Sequence, residues 1–266
     1  MTEQTYTYRD STLNLNEANN YTLLLQVNTD SFAYAIVNDK QLMACSTNCD
    51  IDELTTPKQL YERLTAQYKK TVITLPAKAF MLIPYNLFDA GHIADFARLL
   101  DVKEDEKVLA QLLDAENYVV YKVDNALVNT VANYDIKNTV FAAKGWLKAI
   151  DQNNSSNTDL FLNITANKVE FAYYKKNKLR FYNQFEFASV DDLIYYTVFV
   201  TDELELKSQN ITLVLSGDVN EGDDNLKNLE AYFSKVIINT IKPLELPSNI
   251  PSHHLLSLSA LSLCAS

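Results

Sequence analysis

Glycine is nearly missing from this sequence. Four glycines occur in 266 residues, Gly91, Gly145, Gly217 and Gly222, against an average usage of about 7%. Loops that cradle phosphate need glycine, because a side chain blocks the approach of backbone N–H groups to the anion and because positive φ is often required. A glycine-rich phosphate loop is therefore excluded. Cysteine is sparse too: Cys45, Cys49 and Cys264 are an odd number, which fits a reducing compartment better than a disulfide framework. The Cys45-x3-Cys49 spacing has no second pair, and His92 is far along the chain, so a zinc site is not expected. No run approaches the roughly 18 to 20 apolar residues of a spanning helix. The start, MTEQTYTYRD, has neither the positive charge nor the apolar stretch of a signal peptide. A chain that is not membrane-embedded and works in the cytoplasm is the expectation.

Basic charge is also in deficit. Lys and Arg number 23 against 34 Asp and Glu, a net charge of −11, which repels phosphate backbones and excludes nucleic acid as an expected partner. The one basic stretch, Lys175, Lys176, Lys178 and Arg180 among Tyr173, Tyr174, Phe181 and Tyr182, mixes cations and aromatics as single-strand readers do. It falls at a hairpin tip, where lysines are ordinary solvated residues that discourage edge pairing. What is plentiful is apolar content, 47%, with 16 tyrosines and 12 phenylalanines, enough for large cores and for strands with a half-exposed face.

Period-two alternation marks strands over Thr22–Val27, Phe32–Val37 and Leu42–Thr47, with turn chemistry at Asn28-Thr29-Asp30-Ser31 and Asn38-Asp39-Lys40. Thr56-Pro57 predicts a helix over Lys58–Tyr68. Strands are expected at Thr71–Leu75, Phe80–Ile83 and Tyr118–Val123. Helices are expected at Asn86–Leu100, Asp105–Asp114, Ala126–Asn133 capped by Asp124, and Asn138–Ile150. The polar run DQNNSSNTD, residues 151–159, reads as a linker.

After it the opening pattern returns. An offset of 137 aligns Leu24 with Phe161, Gln26 with Asn163, Asn28 with Thr165, Tyr34 with Phe171 and Leu42 with Leu179. A helix Asp191–Leu206, a strand Ile211–Leu215, a helix Asn225–Phe233, a strand Lys235–Ile238 and, past three prolines, a helix His253–Cys264 complete the reading. Two strand-rich units that each begin β-β-β-α, half a chain apart, imply two related α/β domains, 1–150 and 160–266 including the C-terminal helix, with a cleft between them.

Five stretches, QVNTDSFAYAIVND, NITANKVEFAYYKKNKL, ITLVLSGD, HHLLSLSALSLCAS and LIPYNLFD, together resemble the actin-like ATPase superfamily of actin, sugar kinases and heat-shock chaperones. The nearest branch is that of pilus and secretion assembly proteins, and the chain resembles an uncharacterised bacterial family beside it. The resemblance implies two ribonuclease H-like domains around a nucleotide. In active members each hairpin carries an aspartate followed two residues later by glycine, for magnesium, water and the β- and γ-phosphates. Here those positions read Gln26 and Asn28 in the first hairpin and Asn163 and Thr165 in the second, while Ser216-Gly217 keeps one glycine at the adenosine position. An amide is a poor magnesium ligand and no general base. Thr29 and Asp30 complete the first turn, and Asp30 is the one carboxylate there that could take over a metal contact.

His253 and His254 are adjacent and point about 100° apart on a helix, so they cannot clasp one metal. Ser31, Ser189 and Ser216 lack a nucleophile elbow. The expected function is non-catalytic: an adaptor or scaffold that binds another protein, homodimerisation included, with no cofactor, no metal and no catalytic residue. The alternatives are a weak ATPase or sugar-kinase-like phosphotransferase using Asp30 and Ser216-Gly217, and a sensor that closes on a small metabolite.

Overall fold

The structure is a computed structural model, which describes residues 5–134, 139–153 and 155–265. The chain divides into two compact units. The first comprises Thr5–Lys148 and the residues from Leu258 onward, and the second runs from Ala149 to Ser257. The last residues of the chain thus belong with its first half rather than with the half that precedes them.

The first unit is built on a six-stranded sheet. Strands β1 (Thr7–Arg9), β2 (Thr22–Val27), β3 (Ser31–Asn38), β4 (Gln41–Asp50), β5 (Lys70–Leu75) and β9 (Thr139–Phe141) lie in the order β1-β4-β3-β2-β5-β9. Between β5 and β9 the chain inserts a three-stranded antiparallel sheet of β6 (Ala79–Pro84), β7 (Glu106–Leu112) and β8 (Asn117–Asp124), ordered β6-β8-β7. The second unit has one five-stranded sheet, β12-β11-β10-β13-β14, from β10 (Asp159–Ile164), β11 (Lys168–Lys175), β12 (Lys178–Glu186), β13 (Thr212–Gly217) and β14 (Lys235–Ile238). Both sheets fold as two antiparallel hairpin steps followed by two parallel crossovers, so β4-β3-β2-β5-β9 and β12-β11-β10-β13-β14 share one topology.

The repeat extends to single residues. Gln26 faces Ala33 as Asn163 faces Glu170, and the ladder is irregular between Ile36 and Val37 in one unit and between Tyr173 and Tyr174 in the other. Both intervals equal the offset of 137 read from the sequence. The first turn closes with Asn28 N–H donating to Ser31 C=O at 2.8 Å, the second with Thr165 N–H donating to Lys168 C=O at 2.8 Å. The one shared ladder irregularity is stronger evidence of a repeat than alternation, because any two amphipathic hairpins alternate; the irregularity between Phe32 and Tyr34 has no counterpart in the second unit.

Helical segments differ between the units. In the second, α5 (Val190–Glu203) crosses from β12 to β13 with a complete capping box of Ser189 and Asp192. In the first, the same crossover holds only a 3-10 turn, Ile51–Leu54, and the four-residue α1 (Tyr61–Leu64). The expected helix Lys58–Tyr68 is thus largely a loop. The reason is Glu53, whose carboxylate accepts from the backbone N–H groups of Lys58, Gln59 and Leu60 at 2.8, 3.1 and 3.0 Å and so holds that stretch out of helical pairing.

Other expectations also change. The predicted helix Asp105–Asp114 is strand β7, because Glu106–Leu112 finds a full antiparallel partner in β8 and Glu106 pairs with Lys122 at 2.8 Å. The predicted helix Asn86–Leu100 keeps only α2 (Ile93–Leu99), preceded by 3-10 turns at Tyr85–Leu87 and Ala90–His92. Asp89 accepts from Gly91 N–H at 2.8 Å and caps the second of these turns. α3 (Asn125–Thr130) starts where Asp124 caps it, as expected. Of the predicted helix Asn138–Ile150, Asn138 lies outside the described residues, Thr139–Phe141 is strand β9, and α4 (Lys144–Gln152) carries the helix into the expected linker. In the second unit α6 (Asp224–Tyr232) forms as read. The expected helix His253–Cys264 is α7 (Leu256–Ala260) followed by a 3-10 turn, Leu261–Cys264.

The apolar residues of β10, β11 and β13 alternate. Leu160, Leu162, Ile164, Val169, Phe171, Leu213 and Leu215 form one face of the sheet and pack with Leu193, Val200, Leu226 and Leu229 of α5 and α6. Each such side chain contributes about 1.5–3 kcal/mol through burial. The opposite face of the sheet carries Asn163 of β10, Glu170 of β11, Tyr182 of β12 and Ser216 of β13, which alternation places together.

Candidate functional site

The hairpin turns and the strand ends beside them hold every residue that the sequence nominates. In the first unit Gln26 lies next to the last residue of β2, opposite Ala33 and alongside Thr74 of β5. It is half-buried, and Asn28, Thr29 and Asp30 are exposed in the turn. Asp30 does not fold back onto its own backbone: among the described residues its carboxylate accepts no hydrogen bond. Thr74 is 1% exposed and its hydroxyl has no hydrogen-bond partner among the described residues.

In the second unit the equivalent positions form a row across four strands. Asn163 is buried and donates from Nδ2 to Glu170 Oε2 at 2.7 Å. The buried Tyr182 donates from its hydroxyl to Glu170 Oε1 at 2.7 Å. Burial first, and the Glu170 charge second, hold the Tyr182 phenol protonated well above its usual range. Each carboxylate oxygen of Glu170 is thus engaged by a neutral donor. Ser216, beside Asn163 in the parallel ladder, is fully buried, and its Oγ has no partner among the described residues, as with Thr74 in the first unit. Thr165 opens the turn, and its hydroxyl donates to Lys168 C=O at 3.1 Å.

Gly217 follows with φ +86°. A Cβ there would lie 2.0 Å from Ile164 O and 3.0 Å from Asn163 Oδ1, so only glycine fits. Its N–H donates to His253 C=O at 2.9 Å, and Asp218 N–H donates to Ile164 C=O at 2.7 Å. The glycine is thus spent on close strand packing. His253 also contacts Val219 C=O through Nε2 at 2.9 Å. The two histidine rings lie 4.3 Å apart, and burial holds both below the usual histidine range, His254 at about 4.

A recess of about 510 Å³ opens at this end of the second unit, lined by Ala166 of the hairpin turn, Ser189, Asp218, Asp223, Asp224 and Asn225 among others. The first turns of α5 and α6 lie here, and such amides would suit an anion. They are occupied by side chains of the chain itself. Ser189 Oγ accepts from Asp192 N–H at 3.2 Å, Asp192 accepts from Ala188 and Ser189, and Asp223 accepts from Leu226 and Asn220, both at 2.8 Å. Three carboxylates on the wall repel a polyphosphate in addition.

Among the described residues no group of three or more His, Cys, Asp or Glu side chains is placed to hold a metal. Cys45 is buried with its thiol pushed up to about 11, Cys49 is half-buried, and neither is disulfide-bonded. Lys175, Lys176, Lys178 and Arg180 are exposed at the β11–β12 hairpin tip, where Lys176 and Asn177 adopt positive φ. Glu170 is the residue that sequence reasoning missed, and Tyr182, which the sequence offers only as an aromatic of the basic stretch, is its hydrogen-bond donor. The available signal was a lone acid inside the apolar run VEFAYY.

Residues 10–236 match the family described as "Protein of unknown function (DUF3822)". The chain belongs to the DUF3822 family. Among curated proteins, no sequence matches this DUF3822 chain. Solved structures are similar over nearly its whole length. A Bacteroides thetaiotaomicron protein with actin-like ATPase fold and unknown function is 18% identical, at a TM-score of 0.77, with 96% of this chain and 100% of that one covered. A structure of the PilM–PilN type IV pilus biogenesis complex is 11% identical, at a TM-score of 0.58, with 92% and 97% covered. The ethanolamine utilization protein EutJ from Carboxydothermus hydrogenoformans is 10% identical, at a TM-score of 0.51, with 91% and 89% covered. This DUF3822 protein has the actin-like ATPase fold, as its sequence motifs led one to expect. No helix among its described residues is long and apolar enough to cross a membrane.

Proposed function

We propose that this protein is a non-catalytic member of the actin-like fold, an adaptor or scaffold that holds another protein and no nucleotide. The observation that carries the reading is the Asn163 carboxamide, buried and bound to Glu170 at 2.7 Å. At the position where an active relative carries a metal-orienting carboxylate, this chain has a neutral group already committed as a donor. Glu170, the acid in contact with it, has each carboxylate oxygen engaged by an internal hydrogen bond. Losing preorganised charge stabilisation of a transferring phosphoryl costs several kcal/mol of barrier. Gln26 and Asn28 in the first hairpin, Thr165 in the second and the self-capped helix ends of the acidic recess support the same reading. The PilM similarity, to a chain solved in complex with PilN, makes protein holding a natural use of the fold. The boundaries read from the sequence, 1–150 and 160–266 around a 151–159 linker, are proposed as two actin-like domains with one change. The segment from Leu258 is assigned to the first, because it packs there. Cytoplasmic location and homodimerisation belong to this proposal.

Phosphate release from ATP with magnesium tests the catalytic half: the expected rate is that of buffer, and turnover lost in Asp30→Ala would support the phosphotransferase alternative instead. The adaptor half is tested by capture on the immobilised chain followed by direct titration of the captured protein. Saturable one-to-one binding is expected, and heat or shift from a small metabolite without any protein ligand would favour the sensor.

A further inference from the structure

The first unit contains a second recess, remote in sequence from both hairpin turns and unused by the reading above. It measures about 260 Å³ and is lined by Leu75, Lys107, Leu109, Ala110, Gln111, Tyr121, Val128, Val131 and Thr139. The walls come from the C-terminal end of β5, the start of β9, α3, and strands β7 and β8 of the inserted sheet. Five of these side chains are aliphatic. In a chain with 34 acidic residues none of the nine is acidic, so the recess departs from the charge of the rest of the molecule.

Its polar groups are incompletely used. The hydroxyl of Tyr121, a residue 1% exposed, accepts from Gln111 Nε2 at 2.9 Å, and its own proton has no acceptor among the described residues. Burial pushes this phenol far above its usual range, so the proton stays in place. Thr139 Oγ1 is buried with no hydrogen-bond partner among the described residues. Lys107 is exposed and has no ion-pair partner among the described residues. Lys144, partly buried, donates to Gln111 Oε1 at 3.2 Å and orients the amide that faces Tyr121. Buried polar groups are almost always paired, and an unpartnered Thr139 hydroxyl together with a Tyr121 proton that has no acceptor among the described residues calls for an occupant. Water alone suits a polar site, whereas aliphatic walls favour an apolar body.

We propose that this recess binds a small carboxylic acid with a compact apolar body. The body fills the space between Leu75, Leu109, Val128 and Val131, and the carboxylate accepts from Tyr121 and Thr139 with Lys107 supplying the opposite charge. The volume is below the roughly 300–1,000 Å³ of sites for drug-sized ligands, so the body is no larger than about one ring.

Methyl NMR of the full chain titrated with benzoate tests the proposal, with benzamide as the neutral probe and acetate as the probe lacking a body. The expected result is saturable shifts confined to the methyls of Leu75, Leu109, Val128 and Val131, with a Kd on the order of 1 mM or tighter for so small a probe. Benzamide and acetate should bind at least about tenfold more weakly, the worth of one charge-assisted hydrogen bond. Lys107→Gln, an exposed change that leaves the core intact, should weaken benzoate by about tenfold, and Val131→Phe should abolish the shifts. Equal binding of benzamide, shifts that spread away from these methyls, or no saturable shift at about 10 mM benzoate would overturn it.

Discussion

Two residues in the second unit set how much change the site tolerates. Gly217 adopts φ +86°, with Ile164 O 2.0 Å from where a Cβ would sit, whereas Gly222, at φ +78°, has open space around it. Gly217→Ala should therefore cost roughly 3 kcal/mol or more, through strand displacement added to backbone strain, and Gly222→Ala only about 1 kcal/mol. Urea unfolding of the two variants checks the contrast. Asn163→Asp is the change that nominally restores the phosphate-loop acid. In this chain it sets a second carboxylate against Glu170, so the variant should be less stable than wild type at pH 7. One carboxyl of the pair then has a raised pKa in the folded state, which binds a proton the unfolded chain releases. The deficit should therefore shrink as pH falls toward about 5. A variant as stable as wild type at pH 7 would show that Asn163 and Glu170 are not coupled. Gln26, Asn28, Asn163 and Thr165 were legible as side chains where a nucleotide enzyme needs acids and glycines. The Glu170 partner was not, because it lies one strand away and only sheet register brings it to Asn163.

At the scale of elements, the strands were legible and several helices were not. The strands β2, β3, β10 and β11 are legible because nearly all their residues are buried, so each reads as a short apolar run bounded by turn formers. The stretch 106–112 was misread because its short apolar run suits either period, and pairing with β8 decided it. Lys58–Tyr68 has a helical spacing that Glu53 overrides by taking three backbone N–H groups. The segment at His253–His254 gives an element-scale prediction. Both rings have folded-state pKa values below the unfolded value, chiefly through burial, with Glu221 facing His253 and Asp223 facing His254 as the nearby acids that oppose the shift. The unfolded chain then binds protons that the folded chain refuses, so stability should be full above about 6.5 and fall as pH drops toward 4. Thermal unfolding of His254→Phe should show a shallower acid loss over that window than wild type, and an unchanged slope would remove the histidines from the explanation.

At the scale of the whole molecule, the duplicated topology was readable from an offset of 137, because hairpin register is copied with the sequence pattern. The inserted sheet of β6, β7 and β8 and the return of the C-terminal segment to the first unit were not readable. Both depend on contacts between residues far apart in the chain. The account's central claim is that the actin-like fold is retained while the neutral side chains of Gln26, Asn28, Asn163 and Thr165 stand where a polyphosphate and its metal would be received, with Asn163 and Thr165 internally bonded. Isothermal titration of the full chain with magnesium and ATP tests it most directly. The account predicts no saturable heat up to millimolar nucleotide, on the order of Kd 1 mM or weaker; a one-site isotherm with a micromolar Kd that is lost on chelating magnesium would contradict it.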